Sequence, residues 1–83
     1  MTILAGKRAL VIGAGSGIGA ATARLFAAQG ARLAVADIDP AGLAATVADI
    51  GAAPNFHVDI TDPAAVRTTV DSAAQALGGL DIV

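Results

Sequence analysis

The sequence predicts an α/β domain built on a doubly wound parallel sheet. Three observations carry this. Short apolar runs closed by glycine or aspartate alternate with segments whose apolar residues recur at helical spacing. The connections between them are short. Two of the helical segments open on Asp-Pro, at Asp39-Pro40 and Asp62-Pro63. Strands that alternate with helices in this way pair in parallel through right-handed crossovers.

The elements follow in order. "RALVIG" (8–13) reads as a buried strand stopped by glycine. "GIGAATARLFAAQG" (17–30) spaces Ile18, Ala21, Leu25 and Phe26 along one helical face, and Gly30 closes it. "ARLAVAD" (31–37) is a second apolar strand ending in an acid. Asp39 caps a second helix, with Pro40 in its first turn where no hydrogen bond is lost. Leu43, Val47 and Ile50 form its stripe and Gly51 stops it. "PNFHVD" (54–59) is a third strand. The third helix starts at Asp62-Pro63, carries Val66, Val70, Ala73 or Ala74, and Leu77, and ends at Gly78-Gly79. "LDIV" (80–83) opens a fourth strand. The expected order is β-α-β-α-β-α-β with strand order 3-2-1-4, two helices on one face and one on the other.

Composition narrows the function. Eighty-three residues make one small domain at most. With no cysteine and a single histidine, His57, neither a disulfide framework nor a zinc site is expected. All seven acids are aspartates, the five basic residues are scattered, and the net charge is -2, so no nucleic-acid stripe exists. The start "MTILAGKRALVIG" lacks a signal-peptide pattern, and the longest uncharged run, 9–23, is too short and glycine-broken to span a bilayer. Neither nucleic acid nor membrane is an expected partner, and a cytoplasmic location is.

The chemistry concentrates in "ALVIGAGSGIGAA" (9–21), where glycines fall at 13, 15, 17 and 19 between a strand and a helix. A helix start offers unpaired N–H groups and the positive end of its dipole to phosphate. Glycine lets the backbone come close, makes the tight turn and packs helix on strand. The pattern G-x-G-x-x-G fails from Gly13, because Ile18 stands at its last position. From Gly15 it reads Gly15, Gly17, Ala20, with the first glycine two residues past the strand. The spacing G-x-x-x-G-x-G, on Gly13, Gly17 and Gly19, fits best. A glycine- and alanine-rich helix start with no ligand is the plain alternative.

This segment resembles the short-chain dehydrogenase/reductase family, whose usual form is T-G-x-x-x-G-I-G. Here it is Ile12-Gly13-Ala14-Gly15-Ser16-Gly17-Ile18-Gly19, with Ile12 in place of the common threonine. The resemblance implies a Rossmann-type sheet on which Gly13 makes the turn. Ser16, Gly17 and Ile18 would line pyrophosphate and ribose, and Gly19 would allow close helix packing.

Two aspartates extend it. Asp37 closes the second strand, where a carboxylate accepts hydrogen bonds from both adenosine ribose hydroxyls and repels a 2′-phosphate. Neither Ser16 nor Ile38 is basic, although the family's NADP users often carry Arg or Lys at these positions. NAD is therefore the expected cofactor and NADP the less favoured one. The plain reading of Asp37 is a turn residue before Asp39-Pro40. Asp59 and Ile60 match the family's aspartate and following apolar residue at the adenine ring; a turn aspartate is the equal alternative. His57 reads as a strand residue.

The family's catalytic Ser, Tyr and Tyr-x-x-x-Lys are not matched. The chain has no tyrosine, and its lysine is Lys7. No catalytic residue is assigned, and the chain alone is expected to be inactive. Residues 1–83 read as the N-terminal dinucleotide-binding part of a longer oxidoreductase. Its parent would pass hydride between NAD(H) and a secondary alcohol or ketone and would be a homo-oligomer. The alternative is a standalone nucleotide-binding or regulatory module without chemistry. A related epimerase or dehydratase would space its glycines G-x-x-G-x-x-G, which Ser16 does not complete.

Overall fold

The computed structural model of the chain describes residues 3–83. Its elements run β1 (Arg8–Ile12), α1 (Gly17–Ala28), β2 (Arg32–Asp37), α2 (Pro40–Ile50), β3 (Asn55–His57) and α3 (Pro63–Leu77). The strands form one parallel sheet in which β2 lies between β1 and β3. This is the expected α/β architecture.

Each strand is built from residues that suit burial on two faces. Leu10, Ala34, Val35 and Ala36 are essentially inaccessible. Alternate residues face opposite layers. Ala9, Val11, Leu33 and Val35 pack with Ala23 of α1 and Leu43 of α2, whereas Leu10, Ala34 and Ala36 pack with Ala73 and Leu77 of α3. So α1 and α2 cover one face and α3 the other, the expected arrangement of helices. Burying a side chain the size of Leu10 or Val35 stabilises the fold by roughly 1.5–3 kcal/mol.

The caps of α2 and α3 are the predicted aspartates. Asp39 accepts from the Ala41 amide at 3.1 Å, and Asp62 from the amides of Ala64 and Ala65 at 3.1 and 3.2 Å. Gly78 ends α3 in the left-handed region, φ +82°.

Four expectations need correction. The face of α1 is not the stripe of Ile18, Ala21, Leu25 and Phe26. Ala20 and Ala23 are its buried residues, Phe26 is partly buried, and Ile18 is 87% and Leu25 57% exposed. Small residues win that face because the helix start lies against the backbone of the β1 turn. Second, β1 ends at Ile12, so Gly13 begins the turn rather than closing the strand. Third, β3 spans only Asn55–His57, short of Asp59. One oxygen of the Asp59 side chain takes both the amide (2.9 Å) and the hydroxyl (2.6 Å) of Thr61, which draws the chain into a turn. Fourth, 80–83 meets β1 at the expected edge only through a parallel bridge between Ala9 and Ile82, so the sheet among the described residues has three full strands.

Arg8 anchors that last segment. Its amide and guanidinium Nε donate to Asp81 at 2.9 and 3.1 Å, and its Nη1 donates to the Gly78 carbonyl at 2.8 Å. The pairing with Arg8 draws the Asp81 carboxyl down to about 2.

Candidate functional site

At the carboxyl ends of the strands the chain turns from β1 into α1 through residues 13–16. Gly13 has φ +85° and Gly17 φ +59°. A Cβ at either would meet no atom within 4 Å. Their left-handed backbone, not crowding, calls for glycine there, and the space above both is open. Gly19 is the opposite case. A Cβ on it would land on the Gly13 carbonyl oxygen. The helix start thus touches the turn that feeds it.

The N-terminus of α1 is left without the cap that α2 and α3 carry. Ser16 is extended, its side chain makes no capping bond, and the first turn holds no acid. Its unpaired N–H groups and positive dipole end are therefore unanswered by this segment's own side chains.

Asp37 stands beside the loop. Its two carboxylate oxygens accept from the Gly15 amide at 2.7 Å and the Asp39 amide at 2.8 Å. These bonds, that of Asp39 foremost, hold its carboxyl below the ordinary aspartate value. A carboxylate offers about four acceptor positions, so capacity for two further donors remains. Asp59 is likewise lowered, first by the Thr61 hydroxyl.

The structure sorts the predicted residues into two grooves. Gly13, Asp37, Ile38, Asp59 and Ile60, with Ile12 and Val58, line a groove of about 110 Å³. Ile38 and Ile60 stand 55% and 68% exposed at its walls. Ile18 and Gly19 instead line a larger groove of about 320 Å³, among Ile12, Thr22 and Phe26. Ile12 borders both. Ser16, at the end of the loop, and Gly17, the first residue of α1, are exposed and line neither.

Sequence reasoning missed four contributors. Gly15, set aside when the glycine register was chosen, donates to Asp37, and a Cβ there would lie 2.8 Å from the carboxylate. Gly42 lets α2 approach, since its Cβ would strike the Gly15 carbonyl oxygen. Thr46 is fully buried and donates to the Ala14 carbonyl at 2.6 Å. The His57 ring bonds the Ile38 carbonyl at 2.8 Å. Two signals were present: a glycine inside a helix, and a threonine three residues after Leu43 on the same face. Among the described residues no group of acids and histidine is arranged to hold a metal. No helix among them is long and apolar enough to cross a membrane.

Residues 7–83 match the family model described as short chain dehydrogenase. The chain belongs to the short chain dehydrogenase family. It is 48% identical over 82 residues to 2,5-dichloro-2,5-cyclohexadiene-1,4-diol dehydrogenase of Sphingobium indicum, covering 98% of this chain and 33% of that protein. It is 45% identical over 82 residues to momilactone A synthase of Oryza sativa subsp. japonica, covering 96% of this chain and 30% of that protein. Among solved structures, a short chain dehydrogenase from Burkholderia cenocepacia in complex with NADP superposes with TM-score 0.88 at 45% identity, covering 95% of this chain and 35% of that one. A 3-ketoacyl-(acyl-carrier-protein) reductase from Brucella melitensis complexed with NADH gives 0.87 at 40%, covering 95% and 33%. The chain thus spans about a third of the length of the relatives it matches. One of these neighbours holds NADP and the other NADH, so the likeness carries NAD(P) and no choice between the two.

Proposed function

We propose that residues 1–83 form the NAD-binding part of a short-chain dehydrogenase/reductase, and that the whole protein passes hydride between NAD(H) and a secondary alcohol or ketone. The observation that carries this is the placement of Asp37 on the uncapped glycine loop. One carboxylate is bonded to the loop amide of Gly15 and lines the neighbouring groove.

The residues fit a dinucleotide. Open space lies over Gly13 and Gly17, where a diphosphate would rest against the helix amides beside Ser16 and Ile18. Asp37, with spare acceptor capacity, would take the adenosine ribose hydroxyls. Ile38 and Ile60 would flank the adenine, with Asp59 beside it. The groove holding Ile18 lies across the loop and would take the nicotinamide half. When bound, the cofactor supplies the hydride acceptor or donor. Strand order 3-2-1-4 belongs to the same reading: the Ala9–Ile82 bridge is where a fourth strand would join β1.

The choice of NAD rests on charge. A 2′-phosphate would meet the Asp37 carboxylate, with neutral Ser16 and Ile38 at the positions nearest to help it. Arg32 pairs with Arg8 at the other end of β2 and lies too far away.

The reading with no chemistry, a nucleotide-binding module, is favoured by one observation: the 83 residues hold no tyrosine. Under the main reading the proton-transferring groups lie in sequence beyond the third of the relatives' length matched here. Parent oligomerisation and a cytoplasmic site belong to the same proposal.

Titration calorimetry of the chain with NAD⁺, NADP⁺ and ADP-ribose tests it. Saturable binding of NAD⁺ and ADP-ribose, with NADP⁺ at least tenfold weaker, is the expected result. No saturable binding overturns the assignment, and tighter NADP⁺ binding overturns the cofactor choice.

A further inference from the structure

We propose that Thr46 is a positioning residue of the glycine loop, and that it acts by gripping the same peptide unit that Asp37 holds from the other side. The carbonyl of Ala14 and the amide of Gly15 belong to one planar peptide, and the chain contains no cis bond among its described residues. In a trans peptide the C=O and N–H point in opposite directions. Here both ends are engaged. Thr46 Oγ1 donates to Ala14 O at 2.6 Å, and Gly15 N–H donates to Asp37 Oδ2 at 2.7 Å.

The two holds come from different elements. Asp37 ends β2 and Thr46 sits in the middle of α2, 0% exposed, with Ala14 equally buried. The neighbouring peptide is constrained by the same helix, because the space a side chain at Gly42 would need is taken by the Gly15 carbonyl and the Asp39 carboxylate. On the strand side, the amides of Gly13 and Ala14 both donate to the Ala36 carbonyl, at 2.8 and 3.1 Å.

A loop rich in glycine has low intrinsic preference for one orientation of its peptides. Rotating peptide 14–15 would turn the Gly15 amide away from Asp37 and put a carbonyl oxygen against the carboxylate. Thr46 opposes that rotation, since a buried carbonyl deprived of its donor is costly. The hydroxyl therefore fixes the orientation in which Asp37 keeps its outer lone pairs turned to the groove. This role rests on the dinucleotide reading for its effect on binding, but its effect on the peptide does not.

The test uses Thr46→Val, Thr46→Ser and Thr46→Cys in the 83-residue chain, with two readouts. The first is exchange of the Gly15 amide in the absence of nucleotide, followed by NMR against the amide of Val35 in the core. Thr46→Val should lose at least tenfold protection at Gly15 with Val35 unchanged, and Thr46→Ser should keep it. The second is NAD⁺ affinity, expected to fall about tenfold in Thr46→Val and to stay within about threefold in Thr46→Ser. Unaltered Gly15 exchange in a folded Thr46→Val overturns the role, whatever the nucleotide result. If Thr46→Val does not fold, Thr46→Cys, with its weaker donor, takes its place; equal Gly15 protection in the Cys and Ser variants then overturns it. Intact Gly15 protection without NAD⁺ binding in the unaltered chain would defeat the function proposed above and leave the exchange result to decide this one.

Discussion

A methyl group on Gly19 would coincide with the carbonyl oxygen of Gly13. The two backbones touch, and Gly13 has no room to retreat because its amide is bonded to Ala36 at 2.8 Å. Gly19→Ala should therefore push the helix off the sheet. It should cost roughly 1–3 kcal/mol as an overpacked contact, a large share of what a domain this size has. Urea unfolding followed by circular dichroism measures it. A Gly19→Ala chain as stable as the parent contradicts the contact.

Asp37→Asn keeps the shape of the side chain and removes its charge. An amide nitrogen would then face either the Gly15 or the Asp39 donor. Binding of NAD⁺ should weaken about tenfold, or roughly 1.4 kcal/mol. Pairing Asp37→Ser with Ile38→Arg should also raise the NADP⁺ to NAD⁺ affinity ratio, since a cation replaces a repelling anion beside the 2′-phosphate. Calorimetry with both nucleotides reads the change. A ratio that stays fixed speaks against Asp37 as the discriminating group.

The Arg8–Asp81 pair sets an acid limb. The ordinary aspartate value is 3.8, and Asp81 in the fold lies near 2. The folded value is the lower one, so the stabilisation is present above about pH 4 and is lost as pH falls from 3.8 towards 2. Asp37 and Asp59 are lowered as well and act in the same direction. Asp81→Asn should flatten the fall in melting temperature over that window. Melting curves from pH 5 to about pH 2 show it, and a slope identical to the parent's would discount the pair.

A second ion pair should behave differently. Arg24 and Asp49 meet at 2.8 Å between α1 and α2, with side chains 45% and 56% exposed. Both ends stay hydrated, so Asp49→Asn should cost no more than about 0.5 kcal/mol. A loss above roughly 1 kcal/mol in chemical denaturation would mean that the pair holds the two helices together.

The fold was legible because its signals are local. Asp39-Pro40 and Asp62-Pro63 start helices by capping geometry alone, and β2 ends at Asp37 as the sequence reads. The face of α1 was not legible. Ile18 and Leu25 outweigh alanine in any hydrophobic pattern, yet the fully buried positions against the sheet are Ala20 and Ala23, with Phe26 packed at the margin. That constraint lies in the Gly13–Gly19 contact, which no periodicity encodes. In the same way the glycine spacing pointed to the loop but not to Thr46 or Gly42. Their partners Ala14 and Gly15 lie about thirty residues earlier and become neighbours only when α2 docks. The third strand was read too long, to Asp59, and the fourth is no more than a bridge at Ile82, for another reason: a three-residue ladder and a single bridge depend on neighbours more than on propensity.

The alanines of α1 work as a spacer. Methyl groups at Ala20 and Ala23 fix how far the helix axis stands from the strands, and so where its opening amides sit relative to Asp37. A bulkier residue at 23 would tilt the whole rod about its contact with the sheet. The position of the amides at one end of this molecule is thus set by side-chain volume two turns away.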